Sequence, residues 1–230
     1  MDPADRDARP PIADVRNAGP VEFAAEVGRQ EAMLRDGRLA VRVGQLRERV
    51  VGFGVGVPPE APYLRRARSL GLPTVPRGTG GTGVLHLEGD VIWALVLPRT
   101  DPRVGRDYVR AYGRLGRGIT AGLARLGVEA RWAPAPALSD DYCPLSARGQ
   151  VLVRGARILG AAAQHATDRA LLHHGSVSWT VDRAEVDRLF DLPPGGPSAR
   201  LGGVAELGVP GGAADLADAL ARALSEELER

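Results

Sequence analysis

The chain has 230 residues, 44% of them hydrophobic and 25% charged, the profile of a soluble globular protein with one large or two small domains. A formal charge of +2 is spread over alternating arginines and carboxylates, and only three Trp, four Tyr and three Phe could stack on bases, so no nucleic-acid partner is expected. No run approaches the roughly 20 apolar residues that span a bilayer, and Asp2, Asp5, Asp7 and Asp14 near the start argue against a leader, so a cytoplasmic protein without a membrane partner is expected.

Residues 1–18, rich in Pro, Ala, Asp and Arg, are expected to form a flexible tail. Residues 21–34, with Phe23, Val27 and Leu34 among polar neighbours, predict a first helix. Leu39, Val41 and Val43 alternate with polar residues as in a strand, and residues 50–55 read as a second. A short helix over 60–70 leads into an extended stretch at 72–76. Residues 84–87 and 91–97 are expected to pair as a hairpin across Glu88-Gly89-Asp90. Val104, Tyr108, Ala111, Leu115, Ile119, Leu123 and Leu126 recur at three- and four-residue steps, which predicts a long amphipathic helix ending near Gly127, with Tyr108 and Tyr112 as core positions.

Residues 128–132 read as a strand, and 133–148 as a Pro/Ser/Asp loop that carries Cys143. Two further strand-like stretches, 150–160 and 171–181, flank a polar segment with Gln164, His165 and Asp168. Leu216, Leu220, Leu224 and Leu228 form one helical stripe after a Gly/Pro-rich linker. Strands interspersed with single helices favour an α+β fold on a mixed central sheet flanked by helices. Residues 19–192 are expected to be the main folded domain, and 193–230 a linker and helix packed on it.

The segment Pro76-Arg77-Gly78-Thr79-Gly80-Gly81-Thr82-Gly83-Val84-Leu85-His86 holds four glycines in six residues. Such a run lets backbone approach a ligand closely and offers N–H groups to an anion, although on composition alone a flexible turn is the commoner outcome. A second segment runs from Val151 through Gly155, Arg157, Ile158 and Gly160 to Ala161-Ala162-Ala163-Gln164, and its small residues leave room for a slender ligand. His173-His174-Gly175-Ser176 follows. Adjacent strand residues point to opposite faces, so the two histidines do not make a zinc pair, and no metal site is expected. The single cysteine, Cys143, fits a reducing compartment and leaves one thiol to be explained. All 30 Lys+Arg residues are arginine.

Together and in this order the three segments resemble the lipoate-protein ligase and octanoyltransferase family, whose pattern is an Arg-Arg-x-Ser/Thr-Gly-Gly-Gly-x-Val-x-His loop, a Gly-x-Lys-Ile-x-Gly-Ser-Ala segment and a His-Gly-Ser/Thr strand. The matching positions are Arg77, Thr79, Gly80, Gly81, Val84 and His86, then Gly155, Arg157, Ile158 and Gly160, then His174, Gly175 and Ser176. The chain departs from the pattern at Pro76, Thr82 and Arg157, and one extra alanine is needed to align Gln164.

The resemblance implies a biotin/lipoate ligase-like, class II synthetase-like fold. It implies a lipoyl or octanoyl substrate bound by the glycine loop, by Ala162 among the small residues and by the histidine strand, and a lipoyl domain or acyl carrier protein as partner. ATP with Mg would serve if the acyl group is activated as an adenylate. The resemblance puts Arg157 in the place of a lysine that meets the acyl carbonyl or the phosphate of an acyl-adenylate, where positive charge would stabilise developing negative charge. It also puts Cys143, 12 residues before Gly155, near where octanoyl-transferring relatives carry a nucleophile, with Arg157 as a nearby cation for its thiolate. A non-catalytic carrier binder is the alternative that Arg157 raises.

Overall fold

In a computed structural model, residues 14–101, 108–146 and 150–229 are described. Apolar side chains on both faces of one strand organise the molecule. In β6 (Val91–Pro98), Val91, Trp93, Leu95 and Leu97 turn one way and Ile92, Ala94 and Val96 the other, all of them buried. A strand apolar on both sides belongs in the middle of a sheet covered twice. It lies third in a seven-stranded sheet ordered β1 (Asp14–Val21), β2 (Ala40–Leu46), β6, β10 (Ala170–Val177), β9 (Arg157–Ala166), β8 (Gln150–Arg154) and β7 (Arg131–Pro134). The β1/β2 pair is parallel and the others antiparallel, giving a mixed sheet.

One face carries α3 (Tyr108–Arg125) and α5 (Ala213–Glu229). Ile119 and Leu123 of α3 and the Leu216, Leu220, Leu224 and Leu228 stripe of α5 join Val41, Val43 and Trp93 in one core. Gly118 and Gly122 let the two helices touch, since a Cβ at either would meet a leucine Cδ2 of α5 at 2.8 Å.

The other face carries α1 (Phe23–Asp36), with Phe23 and Val27 against Ile92, and Leu34 against Ala94, Val96 and Leu172. Beside it lies a second sheet ordered β4 (Thr74–Arg77), β3 (Val50–Gly54) and β5 (Gly83–His86). This small sheet, α2 (Pro62–Ser69) and α4 (Arg183–Phe190) share a core with Val151, Val153 and Ile158 of the large sheet. Among the described residues, no helix is long and apolar enough to cross a membrane.

Three expectations are corrected. Residues 84–97 do not form a hairpin: β5 pairs with β3 in the small sheet, and β6 pairs with β2 and β10 in the large one. The turn changes layers because the buried Asp90 carboxylate accepts from Leu87 N at 3.1 Å and from Trp179 N at 2.9 Å, tying it to the segment after β10. Residues 14–18 belong to β1, whose pairing with β2 extends from Asp14 to Val21; residues 1–13 of the expected tail, like Val104, lie outside the described residues. Gln164 and His165 sit on β9, where pairing to β10 continues as far as Ala166. The sequence reading did not anticipate β1 or α4, which is capped by Asp182 accepting from Glu185 N at 2.9 Å.

Candidate active site

Where the small sheet and α1 meet the large sheet there is a narrow pocket, with about 480 Å³ of empty space when the open solvent at its mouth is included. Small residues make its floor. Ala161 stands opposite Ser176, and Ala163 opposite His174, on β9 and β10, so no long side chain fills the trough between them and α1. Gly175 is required there: a Cβ would meet Ala161 O at 2.4 Å and the Trp93 Cζ2, on the far face, at 2.8 Å. Phe23, Val27 and Gln30 of α1 supply the wall at helical spacing.

The glycine loop supplies the opposite side. Arg77 ends β4 only 7% exposed and folds back under the loop. Its Nε donates to Thr79 Oγ1 at 3.2 Å, and Nη2 donates to Gly80 O at 3.3 Å and Thr82 O at 3.0 Å. Gly81 has φ +95°, and a Cβ there would meet Arg77 Nη2 at 2.9 Å and Cys143 Sγ at 3.2 Å. Glycine is therefore needed both for the backbone and for the space, and its absent side chain is what lets guanidinium and thiol share one corner.

Cys143 opens a short 3₁₀ turn, 143–145, and lines the pocket while 8% exposed. Gly83 N donates to Asp141 O at 2.9 Å, which fastens the cysteine loop to the glycine loop. Burial, with the Asp141 charge assisting, pushes the nearby Tyr63 hydroxyl up to about 12. Burial also lowers the Arg77 pKa, and a Cys143 charge opposes that fall.

A polar relay crosses the pocket behind the loop. The His174 ring Nδ1 lies 2.7 Å from Gln30 Oε1, and Nε2 lies 2.8 Å from Thr79 Oγ1. Since Gln30 Oε1 can only accept, the proton is assigned to Nδ1, and the Thr79 hydroxyl then donates to Nε2 while accepting from Arg77 Nε. His174 stays neutral: burial first, then the Arg77 charge, depresses its pKa to about 3. His173 turns to the opposite face, with ring centroids 4.7 Å from both Trp93 and Tyr112, and burial depresses it to about 3 as well. His86 is buried on β5 beside the Phe23 ring, with Nδ1 3.7 Å from Asp90 Oδ2.

Of the sequence-predicted residues, Arg77, His86, Cys143, Ala162, His174, Gly175 and Ser176 line one pocket, and Thr79, Gly80 and Gly81 form the loop that holds Arg77. Arg157 is a correction. A bulge in β9 shifts the register between Leu152↔Gly160 and Val153↔Ile158, so Arg157 and Leu159 turn together against Gly202 while Ile158 and Ala161 face the small sheet. The half-exposed Arg157 guanidinium bonds Glu206 Oε2 at 2.6 Å, beside Arg183 at the same distance. Partial burial would raise the Glu206 pKa, but Arg183 and then Arg157 hold it low.

Gly155 is also outside the pocket, at the exposed β8–β9 turn with φ +57°, a conformation that two-residue hairpins require. Gly160 is structural, since a Cβ would meet Ser176 O at 2.1 Å. The small residues Ala161 and Ala163 and the motif position Val84 line the pocket too, whereas Phe23, Val27, Gln30 and Ile92 were not anticipated there; a polar Gln30 on the apolar stripe of α1 was the available signal for one of them. Among the described residues no cluster of His, Cys, Asp and Glu could hold a metal ion.

A mixed sheet buried by helices and a small accessory sheet, with a narrow small-floored trough between them, defines a lipoate-ligase-type fold. Lipoate-protein ligase A bound with ATP superposes with a TM-score of 0.75 at 20% identity, covering 93% of this chain and 84% of that one. A bipartite lipoate protein ligase studied with its E2 lipoyl domain, from Thermoplasma acidophilum, superposes at 0.72 and 19% identity over 94% and 84%.

The lipoyl protein ligase A/B catalytic domain model matches residues 50–225, and the chain belongs to that family. Octanoyltransferase LipM of Macrococcus caseolyticus is 29% identical over 140 residues, 56% of this chain and 49% of the relative. LipM of Symbiobacterium thermophilum is 30% identical over 146 residues, 60% and 52% respectively. The chain thus matches about half the length of these curated relatives.

Proposed function

We propose that this protein transfers an octanoyl or lipoyl group, in the cytoplasm, from an acyl carrier protein to a lysine of a lipoyl domain, with Cys143 as the nucleophile. The observation that carries this reading is the Cys143 sulfur at the apolar, small-floored pocket, beside the glycine loop. Its thiolate attacks the carbonyl of the carrier thioester, an Sγ–acyl bond forms, and the carrier's C–S bond breaks to release its thiolate, which takes up a proton. The neutral amine of the acceptor lysine then displaces Sγ, an amide forms, and the amine's proton returns the sulfur to a thiol. The similarity to octanoyltransferases supports this route.

The adenylate route has less support. A nucleotide triphosphate calls for several cations, and among the described residues Arg77 is the one arginine lining the pocket, while Arg157 is held by Glu206. The non-catalytic alternative loses its motive for the same reason, because the departure at position 157 lies outside the pocket.

Incubation with octanoyl carrier protein followed by mass spectrometry is expected to give an octanoyl adduct on Cys143, chased by a lipoyl domain and missing in Cys143→Ser. Transfer that persists in Cys143→Ser, or lipoate-dependent exchange of pyrophosphate into ATP by the wild type, would overturn the thioester route.

A further inference from the structure

A chain without lysine that holds Arg157 at the surface leaves open which cation faces the cysteine. Arg77 is buried and lines the same pocket as Cys143. Two of its nitrogens are occupied by the loop, but Nη1 is buried with no hydrogen-bond partner, and an unpaired guanidinium N–H away from water is unfavourable unless a negative charge is brought to it. Across the space kept by Gly81 stands the Cys143 sulfur.

We infer that Arg77, held from below by Thr79 and Thr82, is the charge partner of the Cys143 thiolate, the task that the resemblance assigns to position 157. The other ionisable groups around the sulfur do not compete. Tyr63 from α2, Tyr112 from α3 and Tyr142 beside it are buried phenols with raised pKa values and stay neutral, burial keeps His174 of β10 neutral, His86 of β5 is turned to the Asp90 carboxylate, and Asp141 is itself a carboxylate. Arg77 therefore supplies the positive charge, and the Thr79–His174–Gln30 relay fixes where it is delivered. Guanidinium cannot give up its proton as an amine could, so Arg77 stabilises the anion without serving as an acid or base.

The inference deepens the acyl-transfer reading and rests on it for its purpose, but the test does not use transfer. Alkylation of Cys143 by iodoacetamide, followed against pH by mass spectrometry, reads thiolate directly. Arg77→Gln is expected to slow alkylation at neutral pH about tenfold or more and move its profile to higher pH; Arg77→Lys is expected to recover most of the difference, and Arg157→Gln to match the wild type. A profile unchanged in Arg77→Gln, or one that moves with Arg157→Gln instead, overturns the inference.

If Arg77→Gln does not fold, urea unfolding of wild type against Cys143→Ser decides. Their difference in stability should grow in favour of the wild type from about pH 6 to 9, as a thiolate held by a cation requires, and a flat or reversed difference overturns the pairing. Absence of an octanoyl adduct on the wild type would sink the transfer reading while leaving these profiles intact.

Discussion

The glycine loop at Pro76 to Gly83 and the turn joining β8 to β9 each carry an arginine and a glycine with positive φ, and the two regions use them differently. In the loop, Gly81 is hemmed in by Arg77 and Cys143, and the guanidinium is buried among backbone carbonyls. At the turn, Gly155 has open space around it and Arg157 reaches a half-exposed ion pair. Positive φ alone therefore says only that a turn is tight. Site function enters when the missing side chain makes room for reacting atoms.

The largest effect that could break this contrast is chemical. Cys143→Ala should lower octanoyl transfer by about 10³-fold or more, as loss of a nucleophile generally does, measured by the rate of lipoyl-domain acylation. Retained transfer would remove the distinction between the two regions.

Next comes pH, which acts through two buried histidines, His174 in the relay behind the loop and His173 on the opposite face of the sheet. His173 and His174 have folded pKa values of about 3, below the ordinary 6.5, so between these limits the unfolded chain binds protons that the native one refuses. Stability is then greatest above about pH 6.5 and falls as pH drops toward 3, a loss of several kcal/mol in urea unfolding at pH 5 relative to pH 7. A midpoint constant over that interval would mean that neither histidine is desolvated.

Smaller and sharper is a pair of alanines. Gly81→Ala adds strain to a contact on Arg77 and Cys143 and should destabilise by about 1–3 kcal/mol while greatly slowing transfer. Gly155→Ala should change stability by about 1 kcal/mol and leave transfer intact. Smallest of all is Arg157→Gln, which loses an exposed ion pair worth about 1 kcal/mol at most and should leave kcat/KM unaltered.

Much of this site was legible in the sequence because its parts are local. The loop residues Arg77, Thr79 and Gly81 carry their geometry within a few positions, and the His173-His174 pair had to diverge across a strand. Gln30 was legible only as a polar residue on an apolar stripe: it meets His174 from 144 residues away, and nothing in its neighbours reveals that partner. Position 157 misled for a related reason. Its motif neighbours were right, but a one-residue bulge, invisible to a count of alternating residues, reverses the face on which the side chain emerges. The layer change at Asp90 likewise depends on Trp179, so a turn signal alone read as a hairpin.

The closeness of Trp93 to Gly175 has an optical consequence. The indole presses on the pocket floor from behind, with its ring edge-on to Trp132 at 6.5 Å, so under the acyl-transfer reading a loaded chain would lie one strand's thickness from the chromophore. Its fluorescence is therefore expected to change on loading, a signal that stopped flow would follow without a label.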